Sequence, residues 1–147
     1  MGVIISTKKP EAKLYNKAVE KWGVDFEKGT VFAVGNTIHS KFRIPEDLMR
    51  HELTHVRQQA EYKGGYKKWW EDYFTDEEFR LSQEVEAYRV QWAFIEATIK
   101  DRNEKARLLH SITGELSGKM YGNLMTFEQA KKEITGKTKN EQIMDMA

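Results

Sequence analysis

Pro45 opens and the glycine pair Gly64–Gly65 closes a stretch that reads as one helix, and on it stand two of the chain's four histidines, four residues apart. The stretch runs RIPEDLMRHELTHVRQQAEY from Arg43 to Tyr62. Glu46 and Asp47 fall in its first turn, where acids favour the positive end of the helix dipole. Residues i and i+4 of a helix project from one face, about 40° apart and one above the other. His51 and His55 therefore present two imidazole nitrogens to one point, and any fold this chain adopts has to accommodate that paired face.

What such a face can do depends on which other donors exist. The chain has no cysteine, which removes disulfides, thiol nucleophiles and thiolate metal sites together. A transition metal would be held by His and carboxylate alone. Zinc suits that set, because it accepts neutral imidazole and has no strong geometric preference of its own. Glu52, about 100° around the helix from His51, is not placed as a third ligand but reaches toward a water on the open side of such an ion. A water made more acidic by a cation, beside a carboxylate that takes its proton, is a nucleophile at neutral pH. That chemistry cleaves amides.

HELTH, His51 to His55, is the HExxH pattern, and in it the chain resembles the zincin metallopeptidases. The resemblance implies that His51 and His55 bind Zn2+, one ion per chain, and that Glu52 is general base and proton shuttle. A catalytic zinc takes three protein ligands and keeps one position open. The metzincin form, with a third His shortly downstream, is absent, because VRQQAEYKGG contains none. The gluzincin form takes a Glu from a later helix in an E-x-x-A segment often followed by Asp. EVEAY, Glu84 to Tyr88, resembles it: Glu84 and Ala87 match, and Tyr88 stands where the acid would be.

Glu86 competes with Glu84, and a helical wheel chooses between them. Leu81, Val85, Tyr88, Trp92, Ile95 and Ile99 fall in one apolar stripe; Glu84 lies about 60° from its centre and Glu86 about 140°. A carboxylate at the margin of a buried face is costly unless paired, and a divalent cation is a strong partner. Glu84 is thus the expected third ligand. An ordinary ion pair to Arg80, Arg57 or Arg89 is the alternative.

The same resemblance implies a long motif-bearing helix packed on a second long helix, and a short upstream sheet whose last strand pairs with an extended peptide. It covers His51 to Tyr88 by motif and, more loosely, the strand near Val31 to Ser40. The likeness is to compact metallopeptidase-like proteins of bacteria and their phages rather than to a full-sized thermolysin-type enzyme. Without the acid after Ala87, Asp47 and Asn36 are the residues left to orient a ligand histidine. Tyr88 is the candidate for stabilising the oxyanion, with core packing as its alternative. His39, on the expected strand, is the candidate for contacting substrate or the open side of the zinc, with a surface role as its alternative. His110, among Leu108, Leu109 and Ile112, reads as a plain helix histidine.

The remaining elements follow from punctuation. Pro10 and Gly23 bracket an amphipathic helix carrying Leu14, Ala18, Val19 and Trp22. GTVFAVGNTIHSKFRI, broken by Gly35 and Asn36, reads as a short hairpin or two strands. YKKWWEDYF is a short aromatic helix or turn, and TDEE at Thr75 to Glu78 reads as a capping box opening a helix to about Lys100. RNEKARLLHSI is helical until near Gly114, and Thr126 caps FEQAKKEI, which stops at Gly136. The expected class is α+β, mostly helical: one zincin-like domain over 1–136 with a polar tail over 137–147.

Charge narrows the partners. Twenty-four basic and 23 acidic side chains leave a formal charge of +1, so no global field draws the chain to nucleic acid or an anionic membrane. The aromatics of GGYKKWWEDYF interleave with Lys67 and Lys68 as a base-stacking patch would, but Glu71 and Asp72 blunt it, and packing is the stronger reading; an apolar rim for substrate is another. A peptide or protein substrate is the expected partner. MGVIISTKKP is too short an apolar run for a signal peptide or membrane span, so a cytoplasmic location is expected. Gly2 and Ser6 fit the loose myristoylation pattern, without the second signal that stable anchoring needs.

Three functions are then in view. The leading one is a zinc peptidase using Glu52. The second is a non-catalytic interaction or assembly protein on a zincin scaffold, with or without zinc. The third is a metal-free helical protein.

Overall fold

The computed structural model describes residues 2–136. They form β1 (Ile4–Ser6), α1 (Ala12–Trp22), β2 (Phe32–Val34), β3 (Thr37–His39), α2 (Glu46–Glu61), α3 (Gly65–Thr75), α4 (Glu77–Thr98), α5 (Arg102–Leu116) and α6 (Phe127–Thr135), with single 3-10 turns at Phe26–Lys28 and Lys119–Tyr121. The mostly helical α+β class with a small sheet upstream of α2 is what the sequence leads one to expect. The tail over 137–147 lies outside the described residues. The chain divides into two compact units, Met1–Gln83 and Glu84–Ala147, and the division falls inside α4, where the helix is unbroken.

In the first unit the expected hairpin is present: β2 and β3 are antiparallel, with Phe32 opposite His39 and Val34 opposite Thr37. Gly35 turns the chain between them at φ 63°, a conformation that a side chain resists. β1 is an addition. It pairs in parallel with β3, Ile4 beside Thr37 and Ser6 beside His39, giving the order β1-β3-β2. Three residues are too few to show alternation, and Ile4 and Ile5 stay about half exposed, at 54% and 53%, so no burial pattern marks the strand.

This order changes one expectation. β3, the last strand, is central, and both its edges are occupied. A peptide adding to the sheet would meet the outer edge of β1 or β2, not β3.

Gln59, fully buried, fastens α2 to the sheet. Its Nε2 donates to the carbonyl of Ala33 at 2.7 Å and its Oε1 accepts from the N–H of Gly35 at 2.7 Å. Gln59→Leu keeps the volume but leaves both backbone groups without this partner. It should lower stability by about 1–3 kcal/mol, read as a reduced urea midpoint at unchanged slope.

The core of this unit is aromatic. Trp69, Trp70, Tyr73 and Phe74 on α3 are buried with Leu14, Ala18, Val24, Phe26 and Phe32. Trp69 stacks on Tyr73 at 4.8 Å between centroids, and Trp22 on Phe74 at 5.1 Å. Both readings that needed those α3 aromatics exposed, base stacking and a substrate rim, are corrected: they are interior, and it is the charged Lys67, Lys68 and Glu71 of that helix that are exposed. Gly64 caps α3 at φ 100°, where a Cβ would fall 2.8 Å from that of Lys68.

The start of α4 differs by one residue from expectation. Thr75 ends α3, its hydroxyl donating to the Glu71 carbonyl, and Asp76 accepts from the N–H of Phe79 at 3.0 Å as the actual cap. In the second unit Asp101 caps α5 through the N–H groups of Asn103 and Glu104. α5 runs past Gly114 to bury Leu116, because a glycine inside a helix costs only about 1 kcal/mol against Ala. Thr126 caps α6 as expected, in a reciprocal pairing with Gln129, and Gly136 stops it. Among the described residues no helix is long and apolar enough to cross a membrane.

Candidate metal centre

The buried side of α4 is not its apolar stripe. Arg80, Glu84, Ala87, Tyr88, Gln91 and Ile95 are the buried positions, whereas Leu81, Val85, Trp92 and Ile99 are only half-buried. At about 100° per residue, the buried arc is rotated about 70° from the stripe, which puts Glu84 about 10° from its centre. Glu84 is 3% exposed, and Glu86 lies on the solvent side. Three long polar side chains thus sit where a purely structural helix would place aliphatics, and each must be matched by a polar partner.

On α2 the buried residues are His51, Glu52, Thr54, His55, Gln58 and Gln59, again a polar set. The helix positions the two histidines as its periodicity requires: their Nε2 atoms face each other at 3.2 Å, with the rings nearly perpendicular at 78°. Two nitrogens at adjacent corners of a zinc tetrahedron, each about 2.05 Å from its centre, would lie about 3.3 Å apart. The pair is therefore spaced as tetrahedral ligands are.

Among the described residues one group of three metal-type donors converges: His51, His55 and Glu84, all buried, each offering one atom within 4.8 Å of the others. Two imidazoles and one carboxylate in a dry setting fit a divalent, borderline-soft ion such as zinc.

The other expected site residues fall as follows. Glu52 is buried on α2, 6% exposed, beside His51 in sequence. Tyr88 is buried in the second unit, its hydroxyl donating to Oε2 of Glu115 at 3.1 Å and lying 3.4 Å from that of Tyr121. Burial first, then the charges of Glu115 and Glu84, push its phenol well above the ordinary tyrosine range, so it stays a neutral donor. His39 is half-buried, with Nδ1 2.9 Å from the carbonyl of Lys8, where it ties down the segment after β1. His110 is exposed on α5 with its ring 5.0 Å from that of Phe127. Neither His39 nor His110 joins the three-residue group.

Sequence reasoning missed Gln58. Its Oε1 lies 2.8 Å from Nδ1 of His55, and its Nε2 donates to the carbonyl of Gln83 at 3.0 Å. The signal was present in its spacing, three residues after His55 and so one turn along the same face. Asn36 instead sits exposed in the β2–β3 turn, its Oδ1 meeting the Thr37 hydroxyl. Compared with protein-family models, with curated proteins and with solved structures, the chain finds no match in any of the three.

Proposed function

We propose that the protein is a small zinc-dependent peptidase, with His51, His55 and Glu84 as the metal ligands and Glu52 as general base. One observation carries the reading: two imidazoles at tetrahedral spacing and a buried carboxylate lie within 4.8 Å of one another, and a second glutamate, next to His51 in sequence, is buried as well. Zinc bound there would supply Lewis acidity, polarising the scissile carbonyl and making water a better acid. Glu52 takes the proton of the attacking water and returns it to the leaving amine, so that one carboxylate serves both steps. Burial of Glu52 and the ligands excludes bulk water and strengthens each electrostatic contact. A peptide or protein is the substrate.

A second reading is a non-catalytic zinc-bearing interaction protein on the same scaffold. The observation favouring it is the Tyr88 hydroxyl, the candidate oxyanion donor, which is already in contact with Glu115 and Tyr121. A diverse peptide library incubated with the zinc-loaded and the chelator-treated protein separates the two. The peptidase reading expects cleavage in the first sample only. Stoichiometric zinc with no cleaved peptide would favour the interaction protein, and equal cleavage in both samples would remove the metal from the chemistry.

A further inference from the structure

We infer that Gln58 is a positioning residue that fixes His55 in the tautomer with the lone pair on Nε2 and ties that histidine to the backbone of α4 beside Glu84. The inference rests on the zinc reading for its purpose, but its first test does not need a metal.

Donor and acceptor bookkeeping gives the direction of each bond. A backbone carbonyl only accepts, so the end of the Gln58 amide that meets Gln83 must be its NH2, donated over 3.0 Å. The other end, the carbonyl Oε1, then faces Nδ1 of His55 at 2.8 Å. An amide oxygen also only accepts, so Nδ1 must carry the hydrogen. In the neutral ring the lone pair is thereby left on Nε2, the nitrogen facing His51.

The surroundings hold this arrangement. Gln58 is 6% exposed, so no bulk water competes for its amide. Trp69 donates its Nε1–H to Oε1 of Gln83 at 2.8 Å and sits 5.6 Å from the His55 ring, bracing both ends of the bridge. Gln83 immediately precedes Glu84 in the unbroken helix α4. One neutral amide therefore orients a ligand on α2 and tethers the helix that delivers another ligand. The partner is an amide rather than a carboxylate, so it orients the imidazole without adding negative charge to the site.

The test uses imidazole 15N chemical shifts of the metal-free full chain, at a pH where His55 is neutral, together with zinc affinity by competition against a chromogenic chelator. Wild type should show His55 with the hydrogen on Nδ1. Gln58→Ala should lose that preference and weaken zinc binding about tenfold or more. Gln58→Glu, which keeps the acceptor for Nδ1–H but not the donor to Gln83, should restore the tautomer. It also serves should the alanine variant not fold. An unchanged His55 tautomer in Gln58→Ala overturns the proposal, whatever happens to affinity, and so does an affinity within twofold of wild type. If wild type binds no zinc while the tautomer still switches with Gln58, the zinc reading fails and the assignment of Gln58 to His55 stands.

Discussion

Replacing Glu52 with Gln is expected to leave zinc bound and to cut peptide hydrolysis by about a hundred- to ten-thousand-fold. The substitution keeps shape and removes one property, the ability to accept a proton. Glu52 is 6% exposed, so a neutral amide of the same size fits where a carboxylate had to be accommodated. The loss should appear in kcat and in kcat/KM alike, because proton transfer belongs to the transition state and not to binding. Glu86→Gln, on the exposed side of α4, should change neither. A Glu52→Gln variant that keeps full activity would show that another group is the base. One that loses its zinc would show that Glu52 supports the ligand set instead.

The second large effect is on stability. A ligand that binds only the folded chain stabilises it by about 2.7 kcal/mol at a free concentration one hundred times its Kd. For a chain of this length that is roughly 6–10 °C in Tm. Wild type should show such a shift between zinc-loaded and chelator-treated samples. Glu84→Ala and His55→Ala should melt at the same temperature in both, because neither retains three ligands. A wild type indifferent to chelator would describe a metal-free helical protein. A Glu84→Ala variant that shifts as far as wild type would take the carboxylate out of the site.

How much of this was legible in the residues can be seen element by element. α2 was legible because its signals agree: Pro45 and the early acids at one end, glycines at the other, and a histidine pair at helical spacing. The hairpin was legible from Gly35 and Asn36 between β-branched runs. β1 was not, because three residues, two of them exposed, carry no period and each pairs with a residue 33 positions away. α4 was half legible. Its length and its apolar stripe are plain, yet the helix buries an arc rotated toward Arg80, Glu84 and Gln91. A wheel that counts only apolar residues reports where hydrocarbon is, and at a polar site the buried centre lies elsewhere. The choice of Glu84 over Glu86 rested on that same wheel, in which Glu84 was the nearer to the stripe.

Gln58 and the pairing of Tyr88 with Glu115 and Tyr121 show the complementary gap. Oriented hydrogen bonds depend on which carbonyl or hydroxyl an adjacent element presents, and no spacing rule encodes that across 25 or 27 residues. Tyr88 illustrates the consequence. Its place one turn after Glu84 suggested a catalytic phenol, and nothing in that spacing announced the contacts of its hydroxyl with Glu115 and Tyr121.

The most direct test is zinc-edge X-ray absorption on the purified chain, with zinc content measured on the same sample after dialysis against metal-free buffer. The account predicts about one zinc per chain in a four-coordinate shell of two imidazole nitrogens and two oxygens, one of them lost in Glu84→Ala. Protein that retains no zinc, or a shell unaltered by Glu84→Ala, would contradict it.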